Sequence, residues 1–456
     1  MATVVSAPGK VLIAGGYLVL DHRYPGLVVS TSSRFYTVVQ PASRSGKIIV
    51  NSPQFENAIW AYDVKLEGDG IRIEQVEDAT GSKNRFVQTA LEGTLAIALA
   101  IEEKIHSLRW TKDWTYTSLR PMIFTLNAQA LPPTLDSLNS IPPFLPQGCP
   151  IGQVHKTGLG SSASLITSLV SALLLHFDAI SPDSLSSDAL RMKDENSRTM
   201  WPTSCKESQM DRPCFPPLPL EQSMEPHRLS LQTPPLTRIM LADVDSGSDT
   251  PSMVGNVLKW KKAEPAVGTF SDQLWEGLDK CNRGLGDIVN RLSQRYDEDP
   301  NRIREHSRQT DPSKSIKWER QSPIEALEVT VAQLFGNTRQ LAKSIRDGMR
   351  AMGKSSGVPI EPPEQTRLLD ACCALPGVIG GGVPGAGGYD AIWLLVLQPQ
   401  DKELASSVVA SVEKLWQRWT ELSVSPLLAT ESLERGARKE LLQDVLGLEA
   451  ALKGSA

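Results

Sequence analysis

Short runs of apolar and β-branched residues open the chain. Val11-Leu12-Ile13-Ala14, Leu27-Val28-Val29, Tyr36-Thr37-Val38-Val39 and Lys47-Ile48-Ile49-Val50 are separated by Gly, Pro, Ser and Asn. Such runs between turn formers predict β-strands. From about Arg85 to His106 the period changes. Phe86, Ala90, Leu91, Leu95, Ile97 and Ala98 form an apolar stripe at helical spacing. Residues 161–177 predict a second helix, apolar on most sides and therefore buried. Ser322-Pro323-Ile324-Glu325 has the form of a capping box with proline at the first helical position. Behind it Leu327, Val331, Leu334, Leu341, Ile345 and Met352 predict a long amphipathic helix. Ala391-Ile392-Trp393-Leu394-Leu395-Val396 reads as a buried strand. The chain is thus β-rich at first and mainly helical later, with no internal repeat.

One stretch keeps neither period. Residues 191–237 hold eight prolines and four of the ten methionines, and no glycine occurs from Ser161 to Ser246 in a chain that has 33. A segment of this kind buries too little apolar surface to offset the entropy of ordering, which predicts an atypical insert without a packed core. It divides the chain into 1–183, the insert 184–237, and 238–456. With 456 residues, two domains are favoured. The net charge of −5 supplies no global field for a nucleic acid, so an anionic ligand needs a local cationic site. The six cysteines show no CxxC or Cys/His ligand spacing, so neither a disulfide framework nor a zinc site is predicted. The start lacks a basic region followed by an apolar stretch, and the longest apolar segment, Leu165 to Phe177, is too short to span a bilayer. Gly454-Ser455-Ala456 is not a peroxisomal tripeptide. The expectation is a cytoplasmic monomer or homodimer with a small-molecule substrate and no nucleic-acid or membrane partner.

Three motifs carry chemistry. Lys156-Thr157-Gly158-Leu159-Gly160-Ser161-Ser162-Ala163-Ser164 opens the buried helix. Glycines let the backbone approach an anion closely, and the unpaired N–H groups of a helix start point at it. A serine in the first turn can ligate Mg²⁺. A Gly/Ser-rich turn capping a core helix would look the same locally. Ala7-Pro8-Gly9-Lys10-Val11-Leu12-Ile13-Ala14-Gly15-Gly16-Tyr17 puts a lysine at the mouth of a strand between two glycine turns, within reach of a phosphate or of solvent. Gly380-Gly381-Gly382-Val383-Pro384-Gly385-Ala386-Gly387-Gly388-Tyr389-Asp390 predicts a loop that either approaches a ligand closely or acts as a hinge.

In kind and in order along the chain, these three resemble the signature motifs of the galactokinase, homoserine kinase, mevalonate kinase and phosphomevalonate kinase superfamily. The eukaryotic-type phosphomevalonate kinases are the nearest match. That match rests on the Lys156 to Ala163 motif, Gly15-Gly16-Tyr17-Leu18-Val19-Leu20-Asp21, the run Asp243 to Val254, and Val383 to Ala391. Asn84-Arg85-Phe86-Val87 resembles a weaker version of that family's Asn-Pro-Phe-Val stretch. The resemblance covers roughly 1–183 and 238–456. It implies an α+β fold: a ribosomal-S5-like N-terminal domain, a ferredoxin-like C-terminal domain, and the active site in the cleft between them. The implied reaction is ATP-dependent phosphorylation of 5-phosphomevalonate, a step toward isoprenoids and sterols, with ATP and Mg²⁺. Lys10 would be the catalytic residue and bind the acceptor phosphate. Lys156, Gly158, Leu159, Gly160, Ser161, Ser162 and Ala163 would bind ATP, with Ser162 on the metal. Gly385, Ala386 and Gly387 would shape the acceptor side. Mevalonate kinase, or a catalytically impaired ATP-binding homologue, is the competing expectation.

The family pattern breaks at one place. It has a Gly-Ser-Gly-Phe-Asp-Val-Ala-like stretch, carrying the catalytic aspartate, between the helix behind the ATP motif and the run beginning at Asp243. Nothing like it occurs here, and Asp194, Glu195 and Asp211 lack its surroundings. Composition and period are lost abruptly between two well-matched flanks, which points to a misread exon boundary or a retained intron over 184–237. Sequencing the transcript across codons 180–240 is expected to show a spliced message that encodes the aspartate stretch; a spliced message encoding the insert as written would remove the idea.

Overall fold

The computed structural model describes residues 2–41, 47–67, 70–76, 83–101, 114–119, 134–139, 141–153, 161–185, 228–230, 233–244, 249–264, 268–299, 331–432 and 436–453. The first short apolar runs merge into long strands. β1 spans Thr3–Ala14 and β2 spans Gly26–Pro41. Pro8-Gly9 does not end β1. It makes a register shift between Pro8 and Lys10, because β2 continues alongside and supplies the pairing. With β3 (Lys47–Asn51), β4 (Ile59–Glu67), β5 (Gly70–Gln75), β6 (Trp114–Leu119), β7 (Arg228–Ser230) and β12 (Arg438–Glu440), they form one sheet of order β12-β1-β2-β6-β3-β4-β5. β7 pairs parallel to β2 off that path. A second sheet of order β11-β8-β10-β9 is wholly antiparallel and uses β8 (Thr237–Asp243), β9 (Val378–Gly382), β10 (Ala391–Leu397) and β11 (Ser425–Leu427).

Helices α1 (Arg85–Ile101) and α3 (Ser161–His176) cover the first sheet, and the five-residue α2 (Leu135–Asn139) lies between them in the chain. Asn84 starts α1: its Oδ1 accepts from Val87 N–H at 3.2 Å. The apolar stripe of α1 needs correction. Val87, Leu91, Leu95 and Ala98 are buried, whereas Phe86 and Ile97 are 45% and 37% exposed. Each residue turns the helix by about 100°, so apolar neighbours one step off the buried face point away from the sheet. The mostly apolar helix over 161–177 is found as α3, with Leu169, Leu173 and Leu174 in the same core as Trp60 and Tyr62.

The second sheet is covered by α5 (Phe270–Glu298), α6 (Val331–Ser356), α7 (Pro363–Cys373) and α8 (Lys402–Arg418); α4 (Thr250–Ala263) precedes them and α9 (Leu448–Lys453) follows. The long amphipathic helix is found as α6, with Leu334, Ile345 and Met352 buried. Its proposed capping box at 322–325 lies outside the described residues. β10 is buried at all seven positions, as its unbroken apolar run predicts. Cys372 sits in this core, and burial pushes its thiol up to about 12, so it stays protonated at neutral pH.

The β1–β2 ribbon belongs to both cores. Val5 and Val39 pack with α1 and α3, while Val11, Ile13, Leu27 and Val29 pack with Trp275, Leu285, Ile239 and Trp393. Of the Pro/Met-rich stretch, 184–185, 228–230 and 233–237 are described. Among the described residues no helix is long and apolar enough to cross a membrane. The corrected face of α1 makes a prediction. Leu95→Ala should cost about 2–5 kcal/mol in urea unfolding, against roughly 0.5 kcal/mol or less for Phe86→Ala.

Candidate functional site

The direction of α3 is set by two side-chain contacts. Thr3 Oγ1 on β1 lies 2.8 Å from His176 Nδ1 at the C-terminal end of α3, and Thr37 Oγ1 on β2 lies 2.8 Å from Ser168 Oγ near its middle. The helix therefore runs back along the ribbon. The eight helical residues between these contacts, about 12 Å, span only the two strand positions from Thr3 to Val5, about 7 Å, so α3 crosses the ribbon obliquely. Its N-terminal end, with the partial positive charge of a helix start, is directed toward the Lys10 end of the ribbon. Ser162 and Ala163 are exposed on that first turn. Ser161 is its first residue; Lys156, Gly158, Leu159 and Gly160 lie outside the described residues.

Lys10 is half-buried, inside β1 and opposite Ser30 of β2. This corrects the expectation of a lysine at a strand mouth between turns: the ribbon extends past it on both sides. β2 is braced at that level by the C-terminal segment. Ser32 N–H donates to Thr430 C=O at 2.7 Å, and Ser432 N–H to Ser30 C=O at 2.8 Å.

The glycine-rich C-terminal motif is also split differently from its expectation. Gly380, Gly381 and Gly382 are not loop but buried strand, part of β9, where β10 packs too closely for a side chain: a Cβ on Gly381 would lie 2.5 Å from Leu394 Cδ2. The loop proper begins at Val383 and docks on the ribbon. Gly385 N–H donates to Leu12 C=O at 3.0 Å, two residues from Lys10. Tyr17 Oη–H donates to Ala386 C=O at 2.8 Å. Burial raises the Tyr17 hydroxyl above its ordinary value, so it stays a donor.

Gly16 and Gly387 are glycine because backbone comes too close for anything larger. A Cβ on Gly16 would lie 2.7 Å from both Gly385 O and Met349 Cε. A Cβ on Gly387, at φ +75°, would lie 2.1 Å from Ile360 O. The other face of the loop is held by Gly388 N–H, which donates to Ile360 C=O at 2.8 Å, and by Tyr389 Oη–H, which donates to Glu364 at 3.2 Å. The loop ends against the run beginning at Asp243, whose neighbour Val244 donates its N–H to Asp390 C=O at 3.1 Å.

Two of the motifs, Lys10 on β1 and Gly385, Ala386 and Gly387, therefore meet where the two cores join, and α3 packs on the first core with its start directed toward them. Sequence reasoning missed the supports. Tyr17 was visible only as part of a motif, and Ile360 with Glu361 carried no signal, since a backbone carbonyl and a buried carboxylate have no recognisable spacing. Among the described residues no group of three or more His, Cys, Asp or Glu could hold a metal ion alone.

A family model described as GHMP kinases C terminal matches residues 332–417, from the second residue of α6 almost to the end of α8. The phosphomevalonate kinase of Candida albicans is 31% identical over 436 residues, which are 88% of this chain and 90% of that protein. The protein of Arabidopsis thaliana named phosphomevalonate kinase, peroxisomal, is 30% identical over 498 aligned positions, 94% of this chain and 95% of its own. That span exceeds the chain's own 456 residues, so the relative carries residues without a counterpart here. The Streptococcus pneumoniae phosphomevalonate kinase in complex with phosphomevalonate and AMPPNP superimposes with a TM-score of 0.50 at 12% identity, over 94% of this chain and 99% of that one. The expected two-domain α+β kinase fold agrees with that likeness.

Loop docking gives the prediction here. Gly387→Ala should destabilise the fold by about 1–3 kcal/mol in chemical unfolding, through a positive φ and an overlap with backbone that cannot move far. Gly16→Ala should cost less, since the Met349 methyl can turn aside, though the Gly385 carbonyl cannot.

Proposed function

The chain belongs to the phosphomevalonate kinase family, and from that premise we propose that it transfers the γ-phosphoryl group of ATP to 5-phosphomevalonate, giving ADP and 5-diphosphomevalonate. The observation that carries the reading is about one residue in three identical to named phosphomevalonate kinases over nearly the whole length. The docking of the 385–387 loop two residues from Lys10 supports the acceptor-side roles. The product feeds isoprenoid and sterol synthesis. In this reading the chain is cytoplasmic, works as a monomer or homodimer, and needs no nucleic acid or membrane.

The acceptor here is itself a phosphate. Its second pKa is about 6, so it is mostly dianionic at pH 7 and has little proton to lose. The demand on a general base is small. The larger problem is bringing a dianion against the γ-phosphate, and positive charge and N–H donors at fixed positions solve it. Lys10 binds the acceptor phosphate and steadies charge as transfer proceeds. The N–H groups at the start of α3, with Lys156 and the Gly158 to Ala163 backbone, cradle the triphosphate. Gly385, Ala386 and Gly387 form the acceptor wall, whose lack of side chains leaves room for the second anion.

An exposed serine hydroxyl in the first turn suits Mg²⁺, a hard cation that keeps several waters and takes its remaining ligands from phosphate oxygens. Ser162 would hold it. The chemistry supplied there would be positive charge against the phosphate oxygens.

The absent Gly-Ser-Gly-Phe-Asp-Val-Ala-like stretch favours a second reading, an ATP-binding chain without turnover. One assay separates the two. ADP release with ATP and Mg²⁺ is expected with 5-phosphomevalonate and not with mevalonate. Lys10→Met should lower kcat/KM by roughly 10²–10³-fold, and Ser162→Ala should raise the Mg²⁺ concentration needed for half-maximal rate. Nucleotide binding with no ADP release from either acceptor would support the second reading, and turnover of mevalonate instead would reassign the substrate.

A further inference from the structure

Behind the docked loop lies a buried ionic cluster that the mechanism above does not use. Glu361 stands between α6 and α7 with its side chain wholly buried. Its carboxylate accepts from Arg346 Nη2 at 2.7 Å, Arg346 Nε at 3.1 Å, Arg350 Nη1 at 2.6 Å and Thr366 Oγ1 at 3.1 Å. Arg346 is 7% exposed and reaches Asp370 with its other nitrogen at 2.9 Å. Arg350 also pairs with Asp347 on the same helix. Burial works against the Arg346 charge, and Glu361 beside it more than reverses that, so the guanidinium lies above its ordinary value.

A cluster of this kind is a poor source of stability. Desolvating the charges offsets most of their attraction, and apolar residues of equal volume would hold two helices as well. What it does supply is a fixed geometry, because a carboxylate with four donors has one position. The residue next to it feels that position directly. Ile360 is 1% exposed, its N–H donates to Val358 C=O at 2.8 Å, and its own C=O is the acceptor for Gly388 N–H. The Ile360 carbonyl is also the atom that Gly387 packs against. Loop 384–388 is therefore gripped from two sides, by Leu12 C=O on the ribbon and by Ile360 C=O on the segment Glu361 anchors.

We propose that Glu361, held by Arg346, Arg350 and Thr366, is a positioning residue for the reaction: it sets Ile360, and through it the glycine wall that receives the acceptor. This rests on the reading of Gly385, Ala386 and Gly387 as the acceptor side. The cluster meets loop 384–388 through Ile360, so its effect falls on the acceptor.

The test is steady-state kinetics of the full-length chain with each substrate varied in turn, for Glu361→Gln, Arg350→Gln and Gly387→Ala. Glu361→Gln keeps the shape but puts an amide donor against guanidinium donors. Its KM for 5-phosphomevalonate should rise about tenfold or more, with the KM for ATP held within about twofold. Arg350→Gln removes one donor from a half-buried position and folds even if the first variant does not; its acceptor KM should rise about threefold. Gly387→Ala should raise the acceptor KM as well. Both KM values unchanged in Glu361→Gln and Arg350→Gln, with only the melting temperature lowered, would overturn the proposal and reduce the cluster to a brace between α6 and α7. A rise in the ATP KM alone would overturn it too. If Gly387→Ala shifts the acceptor KM while the cluster variants do not, the clamp has failed. If Gly387→Ala also leaves it unmoved, the acceptor reading of the loop has failed.

Discussion

The pairing of β1 with β2 is buried in two cores at once, and every part of the candidate site is registered against it. Its first turns of strand, around Val5 and Val39, are packed by α1 and α3. Its far end, from Val11 to Val29, is packed by α5 and the second sheet. The bulge at Pro8 to Lys10 falls where one core gives way to the other. Lys10 therefore has fixed structure on both sides, with the glycine loop docked two residues away and α3 packed on the first core. A shift of one core against the other would move the two substrates relative to each other. For a reaction that consists mainly of positioning, that is the quantity the fold has to control.

Charge is used locally. The chain is anionic overall, yet the chemistry brings two polyanions together. In the proposed site a helix N-terminus and one lysine would act over a few ångströms, where the net charge of a distant surface is screened. The glycine loop then gives close approach without adding side chains that would need desolvating. The loop has Gly385, Gly387 and Gly388 at positive φ, which glycine adopts without the penalty another residue would meet. It holds its shape because Leu12, Tyr17, Ile360 and Glu364 each take one of its polar groups.

The Arabidopsis relative carries residues without a counterpart in this chain, and the chain has a Pro/Met-rich stretch over 191–237. An acceptor that arrives already ionised makes a missing base tolerable in principle. Loss of a stretch of cleft wall would be a different matter, since water would then compete for the transferred phosphoryl group. The two costs act on different steps, proton transfer and enclosure.

Local pattern alone determined the strands around Val11, Val38 and Ile49, helices α3 and α6, and the buried β10. In these elements burial follows the identity of each residue and its near neighbours. The three motifs were legible because close backbone approach demands glycine whatever the neighbour, and at Gly16, Gly381 and Gly387 that neighbour is the chain itself. Only the tertiary structure decided which face of α1 is buried, that Lys10 lies within a continuous strand, and that Gly380 to Gly382 are strand and not loop. Those outcomes depend on partners on other strands: β2 pairing past Pro8-Gly9, and Trp393 and Leu394 closing over the glycines. The clamp of Ile360 and Glu361 was equally invisible, because a carbonyl's role is set by what docks on it, and sequence records the side chain and not the docking.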